Sequence, residues 1–447
     1  MNNINLKVSI SYRQILSIAL PISASIVLPQ INFIINNIFL GAVNQQSLAA
    51  AGITGVYYLI FAVGGIGLNN GLQTLLSRRA GEDRVSEIGK LMAQSVRISF
   101  AMALIGVVVT WFLIPFILQY SLHNQEIIDK CISFLRIRIF GLFFLYLYQM
   151  RNALLVSTNL SRYLILGTTA EALVNVLFDY GLIKGRLGMP QLGINGAAYA
   201  SILAEFSGLL IIYVVIKAKK IDKKLELFKF SGFDWQHTKL ILKQSTPLVA
   251  QHAISIISWE FFYILIEHHG ETALAVSNTM RNIFGFFGCF TWAFAATTNS
   301  MVSNIIGQKM IDQVTKLIYR IIHLSLGFSI MVFIILNLFP NIFLAIYSQG
   351  DAFNQQAIPI VRIVSAALVL MSVSVVWFNA VIGSGNSKVS LLIEMMCITG
   401  YCVYVYIVLE KLQLSIAWGW ASEWIYWSTM LLSSYLFMKY WKWHKVI

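Results

Sequence analysis

Asn175, Asp179 and Ser201 are residues whose types and spacing could hold a cation. Asn175 and Asp179 stand four apart in an apolar run, so they share one face of a helix. A turn built from Gly185, Gly188, Pro190 and Gly193 follows, and then a second apolar run containing Gly196-Ala-Ala-Tyr-Ala-Ser201. Asp179 lies seven residues before Arg186 and Ser201 eight residues after Gly193. At about 1.5 Å per residue, both then sit roughly 10–12 Å from the same end of their helices. An amide, a carboxylate and a hydroxyl at one depth suit a proton or a hard cation such as Na⁺, which prefers oxygen ligands. An aspartate inside a membrane costs on the order of 3 kcal/mol, so it marks a functional site unless it is a hydrogen-bonded structural group.

Composition supplies the membrane. Of 447 residues, 58% are hydrophobic and only 11% charged, which is the signature of a polytopic membrane protein. About twelve apolar spans are expected, near 14–40, 48–76, 91–119, 130–156, 163–186, 193–216, 244–268, 272–305, 315–338, 357–382, 389–409 and 413–438. Pro21 and Pro29 fall inside the first, where a kink is expected. The first run is too long for a signal peptide and long enough to span.

The net charge of +13 is arranged by topology. Arg78, Arg79, Arg84 and Lys90 follow the second span, a lysine-rich stretch from Lys217 to Lys243 follows the sixth, and Lys439, Lys442 and Lys445 lie near the chain end. The alternate loops carry only Lys130, Lys184, Arg186 and Lys411. The positive-inside rule therefore puts both termini in the cytoplasm, with the chain integral to the plasma membrane. A nucleic-acid role is set aside. Cys131, Cys289, Cys397 and Cys402 lie in or beside apolar runs without metal-ligand spacing and read as free thiols. Enzyme motifs are missing: His268-His269-Gly-Glu271 lacks HExxH spacing, Gly383-Ser-Gly385 is not GxSxG, and no GxxxxGK[ST] loop provides for ATP.

The chain repeats itself at a spacing of 226 residues. Pro21 recurs as Pro247, Leu48-Ala49 as Leu274-Ala275, Gly81 as Gly307, Leu135-Arg136-Ile137 as Val361-Arg362-Ile363, and Ser161-Arg162 as Ser387-Lys388. The expected fold class is an all-α polytopic membrane protein with twelve transmembrane helices in two parallel six-helix bundles, residues 1–216 and 244–447, joined by a basic linker, 217–243. Six is even, so both bundles enter from the same side, an arrangement that suits a rocking transporter. Asn175 and Asp179 map onto Tyr401 and Val405, so the polar pair belongs to the first half alone.

At this point the residues resemble a family, the multidrug and toxic compound extrusion (MATE) transporters. The resemblance rests on Leu20-Pro21-Ile22, Ile38-Phe39-Leu40-Gly41, Leu48-Ala-Ala-Ala-Gly52, the Asn175…Asp179…Gly193-Ile-Asn-Gly-Ala-Ala-Tyr-Ala-Ser201 stretch, Leu274-Ala275 and Val302…Ile306-Gly307. It implies a twelve-helix antiporter that exports drugs, often organic cations, against inward Na⁺ or H⁺ flow. Asn175, Asp179 and Ser201 match the family's first-half coupling-ion positions. Asn36 stands where the family often has a second aspartate, and the family's usual acids of the seventh and tenth helices fall roughly at Ser255 and Met371. The coupling site thus has one carboxylate, assisted by Asn36, Asn175 and Ser201 if Na⁺ is the occupant; Asp179 alone suffices for a proton.

Glu260 and Arg281 lie ten residues before and eleven after Gly270, a spacing that predicts an ion pair; Glu260 as a counter-charge for a cationic substrate is the alternative. Glu171, Glu205, Glu394 and Glu423 either face the central cavity or snorkel and pair structurally, and the second is the expectation for each. Trp377 and Asn379 lie mid-helix and are candidates to line a substrate cavity. The expected partners are a small amphipathic substrate and membrane lipid, with a monomeric chain and no cofactor beyond the coupling ion. A lipid-linked saccharide flippase of related architecture is the competing reading, kept open by the intramembrane arginines Arg136, Arg138, Arg281 and Arg362.

Overall fold

Helices account for the fold, and no strand occurs among the described residues. The computed structural model describes residues 5–41, 45–122, 124–230, 232–345, 351–441 and 443; the side chains at 32–34, 36–38, 40–41, 45, 47–49, 345 and 351–352 lie outside that description, Asn36 among them. In the first half the helices are α1 (Tyr12–Gly41), α2 (Gln45–Gly81), α3 (Val85–Ser121), α4 (Gln125–Arg138), α5 (Gly141–Ser157), α6 (Leu164–Lys184) and α7 (Ile194–Ala218). A single turn, α8 (Ile221–Lys224), precedes α9 (Trp235–Glu267). Then come α10 (Glu271–Gly307), α11 (Val314–Leu338), α12 (Pro340–Ala345), α13 (Asp351–Gly383), α14 (Ser387–Val405), α15 (Ile416–Trp420) and α16 (Ser422–Tyr440). With the short α8, α12 and α15 set aside, and α4 and α5 read as one pass bent by 49°, the helices make six passes in each half, as twelve transmembrane helices require.

Length and hydropathy alone pick out 8 of these helices, or 9 with the bent pair. The helices that fall short are α6, α10 and α16, and each carries polar groups: Glu171, Asn175 and Asp179 on α6, Asn299, Ser300, Ser303 and Asn304 on α10, Glu423 and several serines on α16. Most of these polar side chains are buried in the protein, where lipid hydropathy is not the relevant measure.

The chain divides into two compact units, one of residues 1–6 and 24–245, the other of 7–23 and 246–447. Two of the three divisions fall beside Pro21 in α1 and Pro247 in α9, the prolines in repeat register. In the first unit the basic stretch after α7 is fastened to α3. Gln94 Nε2 donates to Gly232 O at 3.0 Å, and His237 links Glu87 and Asp234 through its two ring nitrogens, each at 2.7 Å. Asp234 also accepts from the backbone N–H groups of Gln236 and His237 at the start of α9, and that backbone bond to His237 is the chief reason its carboxyl lies below the usual range. In the second unit, the segment before α1 is held by Asn304 Oδ1, which accepts from Val8 N at 3.1 Å.

Candidate functional site

The α6–α7 hairpin that carries the sequence candidates packs through small residues. Gly196, Ala200, Ala204 and Gly208 repeat every fourth position and form one buried stripe of α7. A Cβ on Gly196 would stand 2.6 Å from the backbone of Leu182, and one on Gly208 would stand 3.1 Å from Gly167 O, so the two backbones run in close contact. The turn between them needs left-handed backbone: Gly185 (φ 65°) ends α6 and passes its N–H to Gly181 O, and Gly193 (φ 56°) opens α7. With Gly196 beside Leu182 and Gly208 beside Gly167 and Glu171, the antiparallel register sets Ser201 level with the Asn175–Asp179 turn.

Asp179 is fully buried and Asn175 is 7% exposed, on one face of α6 as the spacing predicts. Among the described residues, neither carboxylate oxygen of Asp179 has a hydrogen-bond partner. No hydrogen bond joins it to Asn175 or to half-buried Ser201, and Asn36 has its side chain outside the described residues. Its isolation stands out against the other charges of the unit. Arg138 on α4 holds Glu205 on α7 with both terminal nitrogens, at 3.0 and 2.5 Å, and lies 3.9 Å from the centre of the Tyr58 ring. Arg151 lies 3.7 Å from the Tyr148 ring centre and donates to Gly208 O at 2.9 Å. Arg136 packs 5.2 Å from the Trp111 ring centre in a surface recess of about 610 Å³. Glu205 therefore pairs structurally, as expected.

In the second unit the expected Glu260–Arg281 pair does not form: among the described residues no ion pair joins them within 4.0 Å. Arg281 lies instead over Trp259 and Tyr263, at 5.8 and 5.4 Å from their ring centres. The equal spacing from Gly270 set the depth of the two residues correctly, but facing depends on how each helix is rotated, and aromatic faces one turn apart on α9 took the guanidinium. Trp377 is buried between Tyr319 and Tyr435, with ring centres 5.8 and 5.1 Å away, and Asn379 Nδ2 donates back to Val375 O of its own helix at 2.9 Å.

Glu394 on α14 and Glu423 on α16 depart from the expectation of structural ion pairing. They are 1% and 3% exposed, and among the described residues neither has a lysine, arginine or histidine partner. Ser255 Oγ donates to Glu394 Oε1 at 2.6 Å, and the Tyr426 hydroxyl donates to the same oxygen. Trp427 Nε1 donates to Glu423 Oε2 at 2.9 Å. Glu423, Ser255 and Tyr426 line one cavity of about 130 Å³. The signal that could have found these acids is scarcity of cations: between Lys388 and Lys439 the chain has a single basic residue, Lys411, at the end of a π-helical turn.

Comparison with known proteins adds a family. The model of the family described as MatE matches the chain twice, at residues 21–181 and 247–407, so that both the starts and the ends of the matches lie 226 residues apart. A curated relative from Thermotoga maritima, named probable multidrug resistance protein NorM, is 23% identical over 97% of this chain and 93% of its own length. A protein of the same name from Synechocystis is 25% identical over 80% of this chain and 79% of its own. Among solved structures, an outward-facing multidrug resistance MATE transporter of the MOP superfamily superposes with a TM-score of 0.90 at 18% identity, covering 98% of this chain and 97% of that one. A MOP superfamily transporter from Pyrococcus furiosus, described as having a binding pocket of reverse polarity, gives 0.87 at 16% identity, over 98% and 96%.

Proposed function

The chain belongs to the MatE family, and from that premise we propose that it is a secondary antiporter of the plasma membrane that exports amphipathic drugs, organic cations above all, in exchange for Na⁺ or H⁺ bound at Asp179. The family is one of transporters and not of enzymes. The observation that carries the coupling site is the fully buried Asp179, both of whose oxygens are unpartnered among the described residues, in a unit where Glu205 is matched to an arginine. A carboxylate so placed is stable only when neutralised, by a proton on its own oxygen or by a cation shared with Asn175, Asn36 and Ser201. Loading and unloading then change the charge of the first bundle by one, the kind of bias that selects between two packings of a transporter. With both termini cytoplasmic, inward movement of one charge gains about 2.3 kcal/mol per 100 mV of membrane potential.

The arginines bear on the competing flippase reading. A diphosphate head group needs free guanidinium groups, and Arg138 is neutralised by Glu205 while Arg281 covers two aromatic rings. That favours drug export. The test is gradient-driven efflux from proteoliposomes, run separately with a pH gradient and with a Na⁺ gradient. Asp179→Asn keeps the shape and removes the charge; efflux should be lost under whichever gradient drives the wild type. Wild-type efflux by Asp179→Asn under both gradients would remove Asp179 as the coupling residue.

A further inference from the structure

The first unit carries a surface recess that coupling at Asp179 does not use. Trp111 of α3 and Tyr199 of α7 flank it, Asp129, Ser133 and Arg136 of α4 line it, and Phe140 stands at the bend into α5. Asp129, Ser133 and Arg136 lie at i, i+4 and i+7, so one face of α4 presents a carboxylate, a hydroxyl and a guanidinium in a row. Arg136 has the Trp111 ring centre 5.2 Å from its guanidinium but, among the described residues, neither a hydrogen bond nor an ion pair within 4.0 Å. Arg138, two residues on, is by contrast matched to Glu205. Asp129 accepts from Gln125 Nε2 at 3.1 Å and has no cationic partner among the described residues. Ser133 Oγ accepts from Asn195 Nδ2 at 2.8 Å, which leaves its own O–H free to donate into the recess. Around these polar groups Trp111, Phe140 and Tyr199 are exposed, as are Phe112 and Phe116 on the adjoining surface of α3, so the rim is a wall that lipid covers.

We propose that the recess holds one resident phospholipid with a primary-ammonium head group, of the phosphatidylethanolamine class, its phosphate on Arg136 and Ser133 and its ammonium on Asp129. The charges specify a zwitterion. One cationic and one anionic side chain line the recess, neither ion-paired within the protein among the described residues; an anionic head group would meet Asp129, and an organic cation would meet Arg136. The spacing fits as well. Asp129 and Arg136 are seven residues apart, about 10 Å along the helix. Long helical side chains lean toward the N-terminus, which brings the guanidinium back toward Ser133 and narrows the gap to the scale of a phosphoethanolamine group. The order of the groups sets the lipid's direction. Asp129 lies near the loop that opens α4, at one end of the pass, and Phe140 at the 49° bend within it, so the ammonium sits nearest water and the acyl chains run toward the membrane interior. A volume of about 610 Å³ equals roughly twenty liquid waters, room for the head group and the first chain carbons, with the remainder lying on the exposed rings. Binding there requires neither Asp179 nor an ion gradient, so its failure and the failure of coupling at Asp179 are separable.

The experiment uses the purified full chain, stripped of lipid in detergent, and reads lipid retention by native mass spectrometry. The probes are dioleoyl phosphatidylethanolamine, phosphatidylcholine and phosphatidylglycerol at equal concentrations, with free phosphoethanolamine as a competitor. The first bound phosphatidylethanolamine should be held more tightly than either other lipid by about fivefold or more. Arg136→Gln removes the phosphate partner and should weaken it by about tenfold or more. Asp129→Asn should abolish the preference over phosphatidylglycerol, because it removes both the ammonium partner and the charge that repels an anionic head. Leu392→Ala, at an exposed residue of α14, should change nothing. Equal retention of the three lipids by the wild type, wild-type affinity in Arg136→Gln, or an unchanged preference in Asp129→Asn would each overturn the proposal. Displacement of the lipid by an equal concentration of phosphoethanolamine would show a site for the soluble head group and overturn the lipid assignment. Should Arg136→Gln fail to fold, Asp129→Asn decides, since its exposed side chain bears no load in packing.

Discussion

Arg138 and Glu205, 67 residues apart, form a two-pronged ion pair inside the first unit, Nη1 to Oε2 at 3.0 Å and Nη2 to Oε1 at 2.5 Å. The pair ties the last residue of α4, just before its bend into α5, to α7, and the Tyr58 ring covers the guanidinium. Truncating one member strands the other as a buried charge, which costs far more than the pair contributes. Glu205→Gln should therefore destabilise the protein by about 3–5 kcal/mol, while Arg138→Met with Glu205→Leu recovers most of that loss. Thermal unfolding in detergent across the full double-mutant cycle checks it; equal losses in the single and double variants would show that the pair acts through packing alone.

Asp179 should behave in the opposite sense. Its oxygens have no hydrogen-bond partner among the described residues, so Asp179→Asn should leave the melting temperature unchanged or raise it, with a gain up to about 1 kcal/mol. A clear drop in melting temperature would mark Asp179 as a structural hydrogen-bonding group and remove the reason for reading it as an ion site.

The α6–α7 contact depends on the absence of side chains. Gly196→Val puts carbon atoms against the Leu182 backbone, which cannot move aside as a flexible side chain can, and should cost about 1–3 kcal/mol. Gly285→Ala on α10, where nothing lies within 4 Å of the added carbon, should be neutral or stabilising by up to about 1 kcal/mol. The paired melting temperatures test whether close approach, rather than glycine content, holds the hairpin.

Acid should loosen the start of α9. The Asp234 carboxyl is lowered by the backbone N–H of His237 and then by the His237 side chain, so its contribution is full above the ordinary aspartate value near 4 and is lost as pH falls through its lower folded value. Hydrogen exchange of the amides of Gln236 and His237 should speed up as pH falls below about 4, beyond the intrinsic trend. Asp234→Asn should remove that extra acid dependence; if the dependence persists, another group opens the junction.

Several of these features were written in the chain. The spacing of Asn175 and Asp179 put both on one buried face, the glycines marked the hairpin turn, and the 226-residue register foretold the two family matches, because hydropathy, turn chemistry and repetition are properties of local sequence. Side-chain partnership was not. Glu205 meets Arg138 and Glu394 meets Ser255 across 67 and 139 residues, whereas Glu260 misses Arg281 despite matched depth. Depth follows from counting residues along a helix, but partnership depends on the rotation of each helix about its own axis. A soluble helix reveals that rotation through a polar face turned to water. Helices in lipid have no polar face turned to water, so their rotation is set by close packing of neighbours such as Gly196 on Leu182, and only the tertiary structure decides it.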